Sequence, residues 1–120
     1  MWICSQLGFF SIVQKLPGEY HIRGRVRTDM VDLCRALGWS EEGILETPGD
    51  YRFRLIATQE QVSAAMAAFG DSIDYSNFKS RIAALPWQRE KLAAYHELWH
   101  GMVRIQDGNA QVPERWLRRG

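Results

Sequence analysis

Between Glu19 and Arg27 the chain alternates without a break, and this stretch constrains the fold more than any other. Tyr20, Ile22, Gly24 and Val26 fall on one side, His21, Arg23, Arg25 and Arg27 on the other. A period of two describes a strand with one face on a core and the other turned away from it. The spacing then changes. Met30, Leu33, Cys34 and Leu37 stand at i, i+3, i+4 and i+7, which predicts a helix, with Thr28 as N-cap and Gly38 as the stop.

The same grammar returns later in the chain. Tyr51 to Ala57 predicts a second strand, with Tyr51, Phe53 and Leu55 opposite Arg52, Arg54 and Ile56. Thr58 and Gln61 have the spacing of a capping box, Val62, Ala65, Met66 and Phe69 repeat the helical period, and Gly70 is placed to end it. Gly18-Glu19-Tyr20-His21-Ile22-Arg23 is echoed by Gly49-Asp50-Tyr51-Arg52-Phe53-Arg54. Two strand–strand–helix units follow, either a degenerate repeat or two segments obeying the same patterning rules.

Around these units the signals are simpler. Trp2 to Lys15 predicts a first strand region with a bulge or bend at Gly8, and Leu16-Pro17-Gly18 a turn. A short strand is expected at Gly43 to Glu46, before the Pro48-Gly49 turn. Asp74 or Ser72 can cap a helix through Tyr75, Phe78, Ile82 and Leu85. Pro86 can open a longer one with the stripe Leu92, Tyr95, Trp99 and Met102. The expected fold is α+β: a three- to four-stranded antiparallel sheet with two helices on one face, ββα-ββα and ferredoxin-like in flavour, plus two C-terminal helices. Residues 1–107 are expected to form a single domain and 108–120 a loose tail.

Composition narrows the functional classes. Fifteen basic residues stand against fourteen acidic ones, a net charge of +1, so bulk charge cannot attract nucleic acid and any basic surface is local. Cys4 and Cys34 lack zinc-ligand spacing and are expected to be reduced core thiols. The apolar opening Met1 to Val13 has no basic flank and is interrupted by Ser5, Gln6 and Gly8, which argues against a signal peptide or membrane span and makes the cytoplasm the expected location.

Two constellations carry chemistry. If the strands lie side by side, His21, Arg23, Arg25, Arg27, Arg52 and Arg54 share one face. Like charges on neighbouring strands repel, which costs stability unless something negative compensates: internal acids, the C-terminal helices folding over this face, or a phosphate-bearing ligand suited to arginine's planar fork; the plain alternative is a solvated face with partial salt bridges. Asn77 and Lys79, in Asp74-Tyr75-Ser76-Asn77-Phe78-Lys79, can complete such an anion site or simply begin a helix. Single-strand RNA readers stack bases on sheet aromatics, whereas the aromatics of these two strands point to the other face, which disfavours base-specific reading.

The second constellation is His96-Glu97-Leu98-Trp99-His100, which matches the zincin pattern with Glu97 as general base. Against it, the extended form of the motif wants Gly at Val103 and His at Gln106, and His96 lies in the apolar stripe, where a core histidine is the ordinary finding. No zinc or other cofactor is expected.

Trp2-Ile3-Cys4-Ser5, Gly8-Phe9-Phe10-Ser11-Ile12-Val13, Ile22-Arg23-Gly24-Arg25, Tyr51-Arg52-Phe53-Arg54 and Ile73-Asp74-Tyr75-Ser76-Asn77-Phe78-Lys79 resemble a widespread family of small uncharacterised bacterial and mobile-element proteins. The resemblance spans most of the chain and brings no activity with it. It implies that Arg23, Arg25, Arg54 and the Asp74–Lys79 segment belong to a shared pattern and that the His96/His100 pair does not. It also makes a phage or bacterial protein inhibitor plausible. The leading expectation is non-catalytic binding of nucleic-acid backbone or a phosphorylated small molecule through Arg23, Arg25, Arg52, Arg54, Asn77 and Lys79. The alternative is a small regulator binding an acidic protein surface, and the third is a zinc hydrolase.

Overall fold

The computed structural model describes residues 1–118. Five strands, β1 (Trp2–Ser5), β2 (Gly8–Leu16), β3 (Glu19–Gly24), β4 (Leu45–Glu46) and β5 (Phe53–Ala57), form one antiparallel sheet in the order β1-β2-β3-β5-β4. The helices are α1 (Arg27–Leu37), α2 (Gln59–Asp71), α3 (Phe78–Ala84) and α4 (Leu92–Gln106). The fold is therefore α+β with an antiparallel sheet, as the alternation required. The chain comprises two compact units, Met1–Phe78 and Lys79–Gly120.

The first unit is a two-layer sandwich. Phe10, Ile12, Ile22, Phe53, Leu55 and Ala57 from the sheet meet Met30, Leu33 and Cys34 from α1 and Ala65 and Phe69 from α2 in one buried cluster. Phe10 and Phe69 lie 5.2 Å apart between ring centroids. Burying such side chains stabilises by about 1.5–3 kcal/mol each, which is what holds the two helices on the sheet. Gly24 lets α1 approach closely, since a Cβ there would lie 2.7 Å from Met30 Sδ.

The strand count is five because the opening stretch is not one bent strand. Ser5 pairs with Gly8, so Gln6 and Leu7 form a two-residue hairpin turn. Ser5 Oγ accepts the Leu7 N–H at 3.0 Å. Gly8 has φ 148°, and a Cβ on it would lie 2.4 Å from Asp29 Cγ. The buried Asp29 carboxylate accepts the Phe9 N–H at 3.2 Å, tying the hairpin to the first turn of α1.

α1 begins earlier than expected. Val26, not Thr28, is the N-cap, without a side-chain cap bond, and Arg27 is already helical. Gly38 ends α1 with φ 70°, as its position suggested. The Thr58–Gln61 capping box forms. Gly70, however, does not stop α2, which runs on to Asp71. Ser72 caps it by donating its hydroxyl to the Phe69 carbonyl at 2.7 Å, so no left-handed residue is needed.

Asp74 accepts from Gln6 Nε2 at 3.1 Å; residues 73–77 are irregular and α3 starts at Phe78. Pro86 likewise precedes turns, with a 3-10 turn at Arg89–Lys91 before α4. In the second unit Ile82, Gln88 and Tyr95 are buried, while Trp99 and Met102 of the expected stripe are 51% and 57% exposed. Within the region read as a tail, Glu114–Trp116 forms a 3-10 turn; residues 119 and 120 lie outside those described.

Gly8→Ala should lower stability in urea by about 2 kcal/mol or more, from the φ strain and the clash with the Asp29 carboxylate. A loss below about 0.5 kcal/mol would mean that the turn and Asp29 shift together without cost.

Candidate anion-binding face

The β3–β5 register pairs Ile22 with Leu55 and Arg23 with Arg54. Directly paired residues point to the same side, and successive residues alternate, so the pairing that sends Ile22 and Leu55 into the core sends both arginines out of the other face. Arg25 lies beyond the end of β3, and Arg27 has left the sheet for α1. Arg52 precedes β5.

The four arginines the sequence nominated are not equivalent. Arg25 donates to the Asp50 carbonyl at 3.0 Å and its carboxylate at 3.3 Å. Arg52 donates to the Glu46 carboxylate at 2.7 Å. Both are exposed and charge-compensated. Arg23 and Arg54 are half-buried, and neither has a carboxylate partner among the described residues. Arg23 donates to the Ser11 hydroxyl at 2.7 Å and Arg54 to His21 Nδ1 at 3.1 Å. The Nε–H group of each is enclosed without a bond.

Since a guanidinium only donates, His21 Nδ1 must accept, so the ring proton sits on Nε2 and donates to the Glu19 carboxylate at 3.2 Å. Arg54 therefore reaches an anion only through a neutral imidazole. Arg23 and Arg25 lie 4.5 and 4.2 Å from the centroid of the Tyr51 ring. This corrects the expectation for Tyr51. It is buried, but it precedes β5, and its ring stacks under the guanidiniums rather than joining the core cluster. Its π face offers about 0.5–2 kcal/mol per cation and no net negative charge.

The remaining nominated residues divide between the two units. Asn77 is exposed just before α3. Lys79 opens the second unit, with Nζ 3.3 Å from His96 Nδ1 and 4.6 Å above the Trp99 ring centroid. His96 was expected inward and is exposed; Tyr95 takes the buried position, and one residue is about 100° of helix rotation. His96 and His100 stand edge to face at 4.7 Å, and among the described residues no three His, Cys, Asp or Glu side chains form a group that could hold a metal ion.

Cys34 lies in the core, whereas Cys4 is half-buried outside the cluster. Burial pushes both thiols up, with Glu41 adding to the rise at Cys34 and Arg27 opposing it, so neither is an activated nucleophile. A groove of about 480 Å³ runs along Ala36, Ala64, Ala67 and Ala68 on the helical layer, and no basic residue lines it. No described helix is long and apolar enough to cross a membrane.

Sequence reasoning missed Ser11, His21 as a relay, Tyr51, and two aromatics of the first hairpin. Trp2 pairs with Ser11, which pairs with Arg23, so one row across the face reads Trp2, Ser11, Arg23, Arg54 and Leu45. Phe9 lies on the same face, 6.2 Å from Trp2 between ring centroids. The alternation of Phe9, Ser11 and Val13 with Phe10 and Ile12 was the available signal. Comparison of the chain with family models, curated proteins and solved structures finds no match in any of the three.

Arg54→Met should leave the melting temperature of the ligand-free protein unchanged or raise it, by up to about 1 kcal/mol in stability, because it removes like-charge repulsion and an unbonded N–H. A loss of about 3 kcal/mol, as for breaking a compensated buried pair, would mean that the charge is balanced internally.

Proposed function

We propose that the protein binds a phosphate-bearing partner non-catalytically through the sheet face that carries Arg23 and Arg54. The observation behind this reading is the inverted charge balance. The two exposed arginines have carboxylate partners, and the two half-buried ones, directly opposite each other, have only a hydroxyl, an imidazole and a π face. Partial burial raises the cost of an uncompensated charge, and two such charges on adjacent strands raise it further. An external anion resolves both at once, and an oxyanion suits two guanidiniums better than any point acceptor. Arg25 and Arg52 can add to the field only by releasing Asp50 and Glu46, so their share is smaller.

A second reading uses the same arginines on an acidic protein surface, as a small regulator of bacterial or phage origin would. It is favoured by Leu45 and Ile56, 44% and 53% exposed at the rim of this face.

Titration of a labelled oligonucleotide and a labelled nucleoside triphosphate between roughly 50 and 200 mM salt tests the reading. A nucleic-acid backbone should give a steep salt dependence, with Arg54→Met reducing the slope by about one unit. A small phosphorylated ligand should give a shallow slope, and Arg23→Ala or Arg54→Ala should each cost about 1.5–3 kcal/mol. Arg52→Ala, which removes a compensated charge, should cost less than either. Failure of both ligands to bind folded protein at low salt would leave the acidic-protein reading.

A further inference from the structure

The aromatic pair of the first hairpin makes the proposed ligand more specific. Trp2 is 68% exposed, yet it occupies a strand position whose direct neighbour, Ser11, holds Arg23. Phe9, on the same face, touches it edge to face at an interplanar angle of 62°. The opposite-parity residues of the same strands, Phe10 and Ile12, are in the core. The hairpin thus has two separate apolar sides, one of which packs the domain while the other presents an aromatic surface to solvent.

Strands lie about 4.8 Å apart, which puts the Arg23 position about 10 Å from Trp2 along the row and the Arg54 position about 14 Å from it. No acidic residue stands in that row. An exposed indole and a half-buried phenyl group on the same sheet face as two unbalanced guanidiniums match the two needs of an unpaired nucleotide strand, which are π faces for its bases and cations for its phosphates. A duplex hides the base faces inside its stack and cannot use the aromatics. A free inorganic phosphate or acidic peptide has no planar ring to lay on them.

We infer that, building on the anion-binding reading above, the partner is single-stranded nucleic acid whose bases stack on Trp2 and Phe9 while its phosphates meet Arg23 and Arg54. Stacking is sequence-tolerant, because every base has a π face, so recognition is of an unpaired strand rather than of a base sequence. The aromatics within β3 and β5 turn away from the arginines, whereas the first hairpin supplies Trp2 and Phe9 on the arginine face itself.

The test uses fluorescence anisotropy with labelled oligothymidylate of about ten nucleotides, within the span that single-strand-binding folds cover, an abasic strand of equal phosphate number, and a duplex of the same length. Wild type should bind the thymidylate strand at least about fivefold more tightly than the abasic one, and the duplex least well. Trp2→Ala should weaken thymidylate binding by about fivefold or more and leave abasic binding unchanged, whereas Arg54→Met should weaken both strands. Trp2 is too exposed for its loss to threaten folding, and circular dichroism checks this for each variant. Equal binding of the two strands, with Trp2→Ala neutral on both, overturns the stacking inference and leaves the anion-binding reading standing. Tighter binding of the duplex overturns it as well. Absence of binding to all three probes on folded protein overturns the single-strand inference, and the nucleoside triphosphate titration then decides the anion-binding reading separately.

Discussion

The pairing of β3 with β5 sets both the core and the candidate site. Ile22 opposite Leu55 and Arg23 opposite Arg54 belong to one ladder, and the side-chain period of a strand is two. A slip of one residue would drive two arginines against Phe10, Met30 and Leu33 and carry Ile22 and Leu55 into solvent. The hydrophobic demand of one face thus dictates the register, and the register leaves the two positive charges side by side on the other. Their juxtaposition is a consequence of the core, and the residue types at those two places are what the sequence was free to choose.

That choice has an energetic cost which the surroundings only soften. A solvated surface arginine with a nearby acid is nearly neutral in energy, which describes Arg25 with Asp50 and Arg52 with Glu46. Arg23 and Arg54 have lost part of their water and gained only neutral acceptors. The Glu19–His21–Arg54 chain orients the guanidinium and fixes the imidazole tautomer, but it keeps the carboxylate one residue removed. Tyr51, held by the loop that leads into β5, gives Arg23 and Arg25 a shared surface and so limits their rotamers. A face held in this way loses less side-chain entropy on binding than free arginines would.

Three positions in the helices depart from their simplest local signals. Thr28 offered a good cap, yet Asp29 is turned toward the first hairpin, and the helix starts before both of them. Gly70 offered a stop, yet Ser72 satisfied the terminal carbonyl and the helix continued. His96 was expected inward as a core histidine, yet it is exposed, and of its neighbours Tyr95 alone keeps the buried place. At the start of α1 the nearby contact comes from a distant strand, whereas at the end of α2 it comes from the helix's own last turn.

The sequence by itself determined the α+β class, the two helices over one sheet face, and the outward side of Arg23 and Arg54, because periods of two and 3.6 are local properties that a core can only accept or reject. The capping box at Thr58 and the stop at Gly38 were legible for the same reason. Only the tertiary structure decided that the opening stretch is a hairpin, since that depends on Asp29 receiving the Phe9 N–H across the fold. Partnering was equally beyond local reading. Which arginines found carboxylates, and that Trp2, Phe9 and Tyr51 stand with Arg23 and Arg54, follow from strand order and loop path, which bring together residues far apart in the chain.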